Sequence, residues 1–331
     1  MQPTTIRKIR FVDTRAEVVE RTLEPLEGDQ VLIESRYSLI SPGTERAALT
    51  RLWDDDAFRE NPGYALAGDV VAVGDAVDDL RVGERVVSLM NHASHAAVPA
   101  VPWMVLPLPD GLSYEHATFS TLASVALHAL RRLDLAFGET LVIVGAGIIG
   151  LMATQLGRLD GARPIIVLDL ADNRLTLAHE LGANLVVNPG REDAVEAIFS
   201  ATGGRGAPAI LEATGNAQVI PQALKMAANG GRIVLTGALE DEVSISFHAE
   251  FIRRELSLMA AFQPFCPVEE TIYWRWTQQE NRRLALEMLA AGELRVEEML
   301  THRFPAEEAP QAYARIKATD RDMLGVLLEW P

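Results

Sequence analysis

The sequence predicts an α/β fold in which a mainly β part is followed by a doubly wound parallel sheet. Before Tyr114, short β-type runs such as VLIESRYSLI, DVVAVGDAV and RVVSLM alternate with Gly, Pro and Asp, as in a compact antiparallel unit. From Tyr114 onward, apolar strands alternate with helical patterns; the strands read LVIVGAG, PIIVLDL, NLVVN, APAILEATG, RIVLTGA and LSLMAAF. This alternation indicates βαβ units and a parallel sheet.

The tail predicts a discontinuous first domain. It contains a helix near Glu280 to Ala291, a second near Ala306 to Ala318, and a last apolar strand, MLGVLLEW. We expect that strand to return to the first domain. The predicted boundaries are therefore 1–122 with 265–331 for the mainly β domain, and 123–264 for the parallel-sheet domain.

Composition narrows the function classes. The 331 residues suffice for two domains with large cores. A net charge of -16 argues against nucleic acid and anionic membrane surfaces, because binding to phosphates requires clustered Lys and Arg. Cys266 is the only cysteine, which excludes an intrachain disulfide and a four-cysteine zinc lobe. Without a secretory h-region or a long apolar run, we expect a soluble, cytoplasmic protein whose partner is a small-molecule substrate.

A glycine loop follows the strand LVIV. Gly145, Gly147 and Gly150 stand in G-x-G-x-x-G register in VGAGIIG. The first glycine permits a tight turn, the second lets a pyrophosphate approach the backbone, and the third lets helix and strand pack closely. The helix N-terminus at Ile148 and Ile149 then turns its amides toward the phosphates. A tight turn without a ligand is the alternative interpretation.

An acidic residue supports the cofactor interpretation. Asp169 ends the strand PIIVLDL, 19 residues after Gly150, close to the spacing expected for the acid that binds the ribose 2′-hydroxyl. A carboxylate there repels the 2′-phosphate of NADP, so NAD is the predicted cofactor. Asp169 alternatively caps a helix starting near Asp172. Arg174 in the same helix is a further candidate cofactor contact.

Two more strands end in small residues. Thr214 and Gly215 follow the first, and Thr236 and Gly237 follow the second. The carboxyl ends of strands in a doubly wound sheet line the ligand crevice, so these residues are candidate contacts on the nicotinamide side. Ordinary strand-terminal turns are the alternative.

These features, in this order, resemble the medium-chain dehydrogenase/reductase superfamily over nearly the whole chain. The matching segments are SPGTER, PGYALAG with VVAVGDAVDDLRVGERVV, LPDGLSYEHATFSTLASVALHAL, VGAGIIG with LDLADNRLTLAHELGA, and THRFPAEEAPQAYARI. The resemblance implies a GroES-like catalytic domain formed by both chain ends, an inserted Rossmann domain, and an active site between them. The S-x-G-T-E and P-G-Y segments and the ending VLLEW are similar to a zinc-free branch that includes bacteriochlorophyllide a dehydrogenase-like proteins.

The resemblance also implies where zinc ligands would stand. Those positions carry Pro42, Tyr64 and Thr121 here, and Glu45 and Ala65 replace the usual neighbouring acids. A catalytic zinc site needs about three good ligands, and these residues are poor ones. His92 and His95 lack further donors near them in sequence. We therefore predict no metal site.

Three residues are the candidate catalytic groups. Thr44 stands where the superfamily keeps a hydroxyl that relays the substrate proton, and Tyr64 replaces a metal ligand and is expected to face the same cavity. There the phenol can donate to the substrate oxygen, whereas base catalysis by Tyr64 requires its pKa to fall from about 10. His95, which starts the strand HAAVPA, has a suitable intrinsic pKa. The alternatives are that Tyr64 fills space, Thr44 caps a turn and His95 bonds to backbone.

Other side chains receive structural interpretations. Glu45 is expected to organise its loop, and His128 to lie in the core of an apolar helix. Trp53, Trp103 and Phe119 either line a substrate pocket or fill the core, and the sequence does not decide.

Three functions follow. The first is a zinc-independent, NAD(H)-dependent oxidoreductase that interconverts a secondary alcohol (polyol, sugar or ring alcohol) and its ketone. The second is a zinc-free enoyl- or quinone-type reductase acting on an activated C=C bond, which Asp169 disfavours because such relatives usually prefer NADPH. The third is a non-catalytic NAD-binding protein. Family resemblance and the exposed sheet edge expected near RIVLTGA and LSLMAAF predict a homodimer or homotetramer.

Overall fold

The computed structural model describes residues 5–53, 55–237 and 241–331. The chain divides into two compact units: one comprises Met1–Leu122 and Pro267–Pro331, and the other comprises Ala123–Cys266. No helix in the described ranges has both the length and the apolar character needed to cross a membrane.

The first unit is built on strands that mostly pair antiparallel. A hairpin of β1 (Thr5–Val12) and β2 (Arg15–Thr22) stands beside a larger sheet. The strands of that sheet are β3 (Gln30–Ile40), β4 (Leu66–Val73), β5 (Arg85–Ser88), β6 (His95–Pro99), β7 (Val105–Pro107), β14 (Leu300–Pro305) and β15 (Gly325–Glu329).

Their order is β14-β15-β3-β4-β5-β7, and β6 pairs with β3. The C-terminal strand β15 runs antiparallel to β3, whereas β14 and β15 are parallel. The two chain ends therefore share one sheet.

The second unit is a parallel sheet. Its strands are β8 (Leu141–Val144), β9 (Ile165–Leu168), β10 (Leu185–Val187), β11 (Ala207–Glu212), β12 (Ala227–Leu235) and β13 (Ser257–Ala260). All of them are parallel, and they lie in the order β10-β9-β8-β11-β12-β13. The chain therefore adds strands in one direction from β8 to β10 and in the opposite direction from β11 to β13, so the order reverses between β8 and β11. This order is that of a doubly wound sheet, whose ligands bind at the reversal. The predicted α/β class with GroES-like and Rossmann parts is confirmed.

Helices connect these strands. They are α1 (Pro42–Leu49), α2 (Asp56–Glu60), α3 (Tyr114–Leu133), α4 (Ile148–Leu159), α5 (Asp172–Glu180), α6 (Ala194–Ala201), α7 (Ile220–Met226), α8 (Gln278–Ala290) and α9 (Ala309–Lys317). Pro42 at the first position and Glu45 in the first turn favour the start of α1, which the sequence analysis did not predict. The predicted tail helix at 306 begins with a 3₁₀ turn at Ala306–Glu308 and becomes α-helical at Ala309.

Each unit has its own apolar core. In the first unit, Ile9, Phe11, Ile40 and Leu328 are at most 5% exposed. The strands β8 and β9 are buried throughout and β11 is buried except at Pro208, as expected for a parallel sheet covered on both faces. β13 lies at the sheet edge and β12 lies beside it, so RIVLTGA and LSLMAAF lie near an edge, as expected.

Candidate active site

Two hydroxyl groups meet where α1 follows β3. Tyr64, just before β4, places its phenol oxygen 3.3 Å from Thr44 Oγ1 and donates to it. Thr44 lies in the first turn of α1, and both side chains are partly exposed. The structure therefore brings two of the predicted catalytic residues together.

The environment of the Tyr64 phenol favours a hydrogen-bond donor over a base. Desolvation by the surrounding protein raises the pKa of Tyr64 to about 12, outweighing hydrogen bonds with Ser41 and Thr44 that lower it. The sequence analysis required a lowered pKa for base catalysis, and this direction is the opposite. At neutral pH the group is a phenol, which donates a hydrogen bond and does not accept a proton.

A buried polar network lies below α1. The Glu45 carboxylate accepts from Ser41 N at 2.7 Å and lies 3.0 Å from His92 Nε2, and the Tyr313 hydroxyl donates to it. Glu45 and His92 are fully buried, and Tyr313 is 1% exposed. Glu45 thus organises the start of α1, as expected.

The network continues on the other side of the imidazole. His92 Nδ1 lies 2.8 Å from Ser38 Oγ, which also accepts from Trp330 Nε1 at 2.9 Å. The sequence analysis missed the roles of Ser38, Tyr313 and Trp330, because nothing in their sequence neighbourhoods links them to position 45. It considered His92 only as a metal ligand.

His95 is placed differently from Thr44 and Tyr64. It pairs with Glu34 across β3 and β6; its Nε2 lies 3.8 Å from a Glu34 carboxylate oxygen and its Nδ1 lies 3.3 Å from Ser94 Oγ. Desolvation lowers the pKa of His95 below its usual value. These contacts belong to the sheet, and a catalytic role for His95 stays a prediction.

The structure places the three aromatic side chains that the sequence left undecided, which are Trp53, Trp103 and Phe119. Phe119 is fully buried and belongs to the core, and Trp103 is 37% exposed. The Trp53 ring lies 5.1 Å from the Phe58 ring, which lies 6.3 Å from the Tyr64 ring. His128 is 6% exposed, and desolvation lowers its pKa to about 4, in keeping with a neutral core histidine.

The donors at the expected zinc positions do not fit a zinc ion. Pro42 begins α1 and offers no donor, Tyr64 is a neutral phenol, and Thr121 is a buried alcohol. Glu45 and His92 are bonded to each other and to their neighbours. Within residues 5–53, 55–237 and 241–331, no group of three or more His, Cys, Asp or Glu side chains is placed to hold a metal ion.

The glycine loop has the geometry that a dinucleotide requires. Gly145 has φ +105°, in the left-handed region that favours glycine. A Cβ at Gly150 would lie 1.8 Å from the Gly145 carbonyl oxygen, so only glycine lets α4 approach the loop this closely. Gly147 is the N-cap of α4, and a Cβ there would meet no atom within 4 Å. Open space over helix amides suits a phosphate group.

Asp169 ties this loop to β9. One carboxylate oxygen accepts from Ala146 N at 2.7 Å and the other from Ala171 N at 2.8 Å. The acid therefore touches the glycine loop, and α5 begins with no side-chain cap from it. Ile148 is buried in the first turn of α4, Ile149 is partly exposed beside it, and Arg174 is partly exposed in α5.

Glu212 is a residue that the sequence analysis missed. It ends β11, pairs with Val144 across β8, and is fully buried. Its carboxylate accepts from Thr214 N at 2.6 Å and from the Thr214 hydroxyl, while its carbonyl accepts from Thr236 N at 3.0 Å. Desolvation raises the pKa of Glu212. Glu212 thus holds together the two predicted loops, including Gly215 and Gly237.

A family model described as zinc-binding dehydrogenase matches residues 149–276. The chain is 28% identical to sorbitol dehydrogenase of Bacillus subtilis over 295 residues, 80% of each chain. It is 29% identical to L-threonine 3-dehydrogenase of Symbiobacterium thermophilum over 346 residues, 93% of each chain. These relatives support an oxidoreductase that acts on alcohols.

The fold is also that of a solved dehydrogenase. The crystal structure of galactitol-1-phosphate dehydrogenase from Escherichia coli superimposes with a TM-score of 0.84 and 22% identity, covering 98% of this chain and 100% of that one. The matched family model and the curated relatives support the resemblance found in the sequence motifs at the level of the superfamily. Over most of its length, the chain is similar to members of the medium-chain dehydrogenase/reductase superfamily.

Proposed function

We propose that the protein is a zinc-independent, NAD(H)-dependent oxidoreductase that interconverts a secondary alcohol and its ketone. The observation that carries this proposal is the Tyr64–Thr44 hydroxyl pair at a position where the superfamily resemblance implies a metal ligand. Hydrogen-bond donors can stabilise charge that develops on a substrate oxygen, which is the task that zinc otherwise performs.

The second unit supplies the residues for the cofactor. When bound, the nicotinamide ring exchanges a hydride with the alcohol carbon. The amides at the start of α4 would hold the pyrophosphate over Gly147, and Asp169 would accept from the adenosine ribose. The loops that Glu212 holds together would support the nicotinamide side.

The hydroxyl pair of the first unit handles the proton. In ketone reduction, Thr44 donates to the forming alkoxide and is reprotonated by Tyr64, whose pKa of about 12 leaves it protonated at neutral pH. An alkoxide is a stronger base than tyrosinate, so this transfer runs downhill, and water restores the Tyr64 proton. Alcohol oxidation uses the same groups in reverse once Tyr64 has given its proton to water, so a pH closer to the pKa of about 12 favours oxidation. This scheme does not route a proton through His95.

Metal analysis and cofactor titration on one sample test the proposal. We expect no stoichiometric zinc, alcohol oxidation that survives EDTA, and NAD affinity at least about tenfold above that for NADP, because Asp169 disfavours a 2′-phosphate. A zinc-dependent alcohol dehydrogenase treated in parallel is the control for chelation. One zinc per chain with activity lost to EDTA contradicts zinc independence. A clear NADP preference instead favours the reductase acting on C=C bonds.

A further inference from the structure

An aromatic row extends outward from the Tyr64–Thr44 pair. We propose that this aromatic wall, formed by Trp53, Phe58 and Tyr64, selects a ring-bearing secondary alcohol over an open-chain polyol. The inference rests on the proposed function, since the wall is assigned to the alcohol whose oxygen meets the hydroxyl pair.

The geometry makes the wall continuous with the hydroxyls. The Trp53 and Phe58 ring centroids are 5.1 Å apart with planes inclined at 38°, and those of Phe58 and Tyr64 are 6.3 Å apart at 50°. All three side chains are partly exposed. A substrate oxygen held by Tyr64 and Thr44 therefore leaves its carbon skeleton within reach of the rings.

Two charged side chains of α2, Arg59 and Glu60, are held by other partners. Arg59 is 3% exposed and donates to the backbone carbonyls of Asp13 and Ala48. Glu60 accepts from Lys8 Nζ at 2.9 Å.

The Asp55 side chain also has a hydrogen-bond partner. Its carboxylate caps α2 by accepting from Phe58 N at 3.0 Å. These contacts leave Phe58 as the residue of α2 that meets the Tyr64 ring.

Packing against the apolar core holds the Trp53 and Phe58 rings of the wall in place. Trp53 and Phe58 pack against the cluster that includes Phe11, Ala48 and Leu49. Packing on one side accounts for their partial burial, and the partly exposed Phe58 ring lies beside the Tyr64 ring.

The chemistry of the wall favours a ring. Aromatic faces pack well against flat or cyclic carbon skeletons, and such contacts contribute beyond simple area burial. An open-chain polyol carries a hydroxyl on nearly every carbon, and each hydroxyl that loses water without a new partner costs free energy. The wall itself offers few such partners: the Tyr64 hydroxyl, which already serves the reacting oxygen, and the Trp53 indole N–H.

Cyclohexanol and sorbitol are the probes that test the wall. We expect wild-type kcat/KM to be at least about tenfold higher for cyclohexanol than for sorbitol. Phe58→Leu keeps apolar bulk but removes the ring, so KM for cyclohexanol should rise about three- to tenfold with kcat unchanged and sorbitol turnover unaffected. Trp53→Leu should act in the same direction. Leu52→Ala, at a neighbouring position that is 49% exposed, is the matched control and should change neither substrate.

The outcomes distinguish failure of the aromatic-wall proposal from failure of the proposed function. The wall proposal is wrong if the wild type turns over sorbitol faster than cyclohexanol, or if cyclohexanol kinetics are unchanged in both Phe58→Leu and Trp53→Leu. Either result leaves the proposed dehydrogenase function standing. If neither alcohol is oxidised, the proposed function fails for these substrates, and saturation-transfer NMR decides the wall by itself. Preferential binding of cyclohexanol over sorbitol supports the wall if Phe58→Leu abolishes that preference. Equal binding of both probes overturns the wall.

Discussion

Tyr64 shows how far a single residue can be predicted. The sequence has a phenol where the superfamily resemblance implies a metal ligand, and the residue type left open a hydrogen-bond donor and a base that needs a lowered pKa. The structure surrounds the phenol with protein, and desolvation raises the pKa to about 12. Burial disfavours the charged form, so Tyr64 is a donor. No sequence pattern reports that environment.

Replacing Tyr64 by Phe removes this donor. We expect kcat/KM for ketone reduction to fall about a hundredfold, in the range for loss of one proton-transfer or oxyanion donor, while NAD binding is unchanged. Because the phenol stays protonated well below its pKa of about 12, the ratio of wild-type to variant activity should be constant between about pH 6 and 10. Steady-state kinetics across this pH range measure both quantities.

Tyr273→Phe is the matched control, because Tyr273 is 90% exposed. Its kinetics should equal those of the wild type. An apparent pKa near 8 that is present in the wild type and missing in Tyr64→Phe would show that tyrosinate acts as a base, and our assignment of the donor would be wrong.

At the scale of elements, the strand–loop–helix from β8 to α4 was the most predictable part. Glycine spacing and apolar periodicity are local properties, so they specify a local structure without information from the rest of the chain. The helix α1 was less predictable. In its segment SPGTERAALT the helix itself begins with Pro and Gly, and its start is stabilised by Glu45 accepting from Ser41 N.

The two glycines of the loop allow a paired test of cofactor binding. In Gly147→Ala the new Cβ meets no atom within 4 Å and the backbone φ of −74° suits alanine, so the melting temperature should not fall. NAD affinity should nevertheless drop about tenfold or more, because the methyl group would occupy the approach of the pyrophosphate. Calorimetric NAD titration and thermal unfolding measure these two effects.

Gly150→Ala is the comparison variant. Its Cβ would lie 1.8 Å from the Gly145 carbonyl, so stability and NAD binding should fall together. Unchanged NAD affinity in a stable Gly147→Ala protein would mean that the loop is a tight turn without a ligand, the alternative left open by the sequence.

For the whole molecule, the edge of the parallel sheet bears on assembly. β13 lies at one end of the strand order, and Ser257 and Ala260 on it are exposed. Natural proteins usually pair or cover such an edge. We therefore propose that copies of this chain associate through β13 as a homodimer or homotetramer.

Light scattering after size exclusion measures this association. We expect a mass two or four times that of the 36.2 kDa chain. Ala260→Lys places a charge on the edge and should shift the mass toward the monomer, whereas Val82→Lys, at a position 65% exposed in the other unit, should leave it unchanged. A wild-type monomer at micromolar concentration would contradict the proposal.

The sequence by itself determined the α/β class, the parallel sheet and the glycine loop, because each depends on residues close together along the chain. It also identified Thr44 and Tyr64 as one candidate pair. Only the tertiary structure decided what surrounds them. His92 and Tyr313 contact Glu45 although they lie 47 and 268 residues from it along the chain. Glu212 joins the two loops that follow β11 and β12. Contacts over such separations, and the desolvation that sets the pKa of Tyr64, arise from how the folded chain packs.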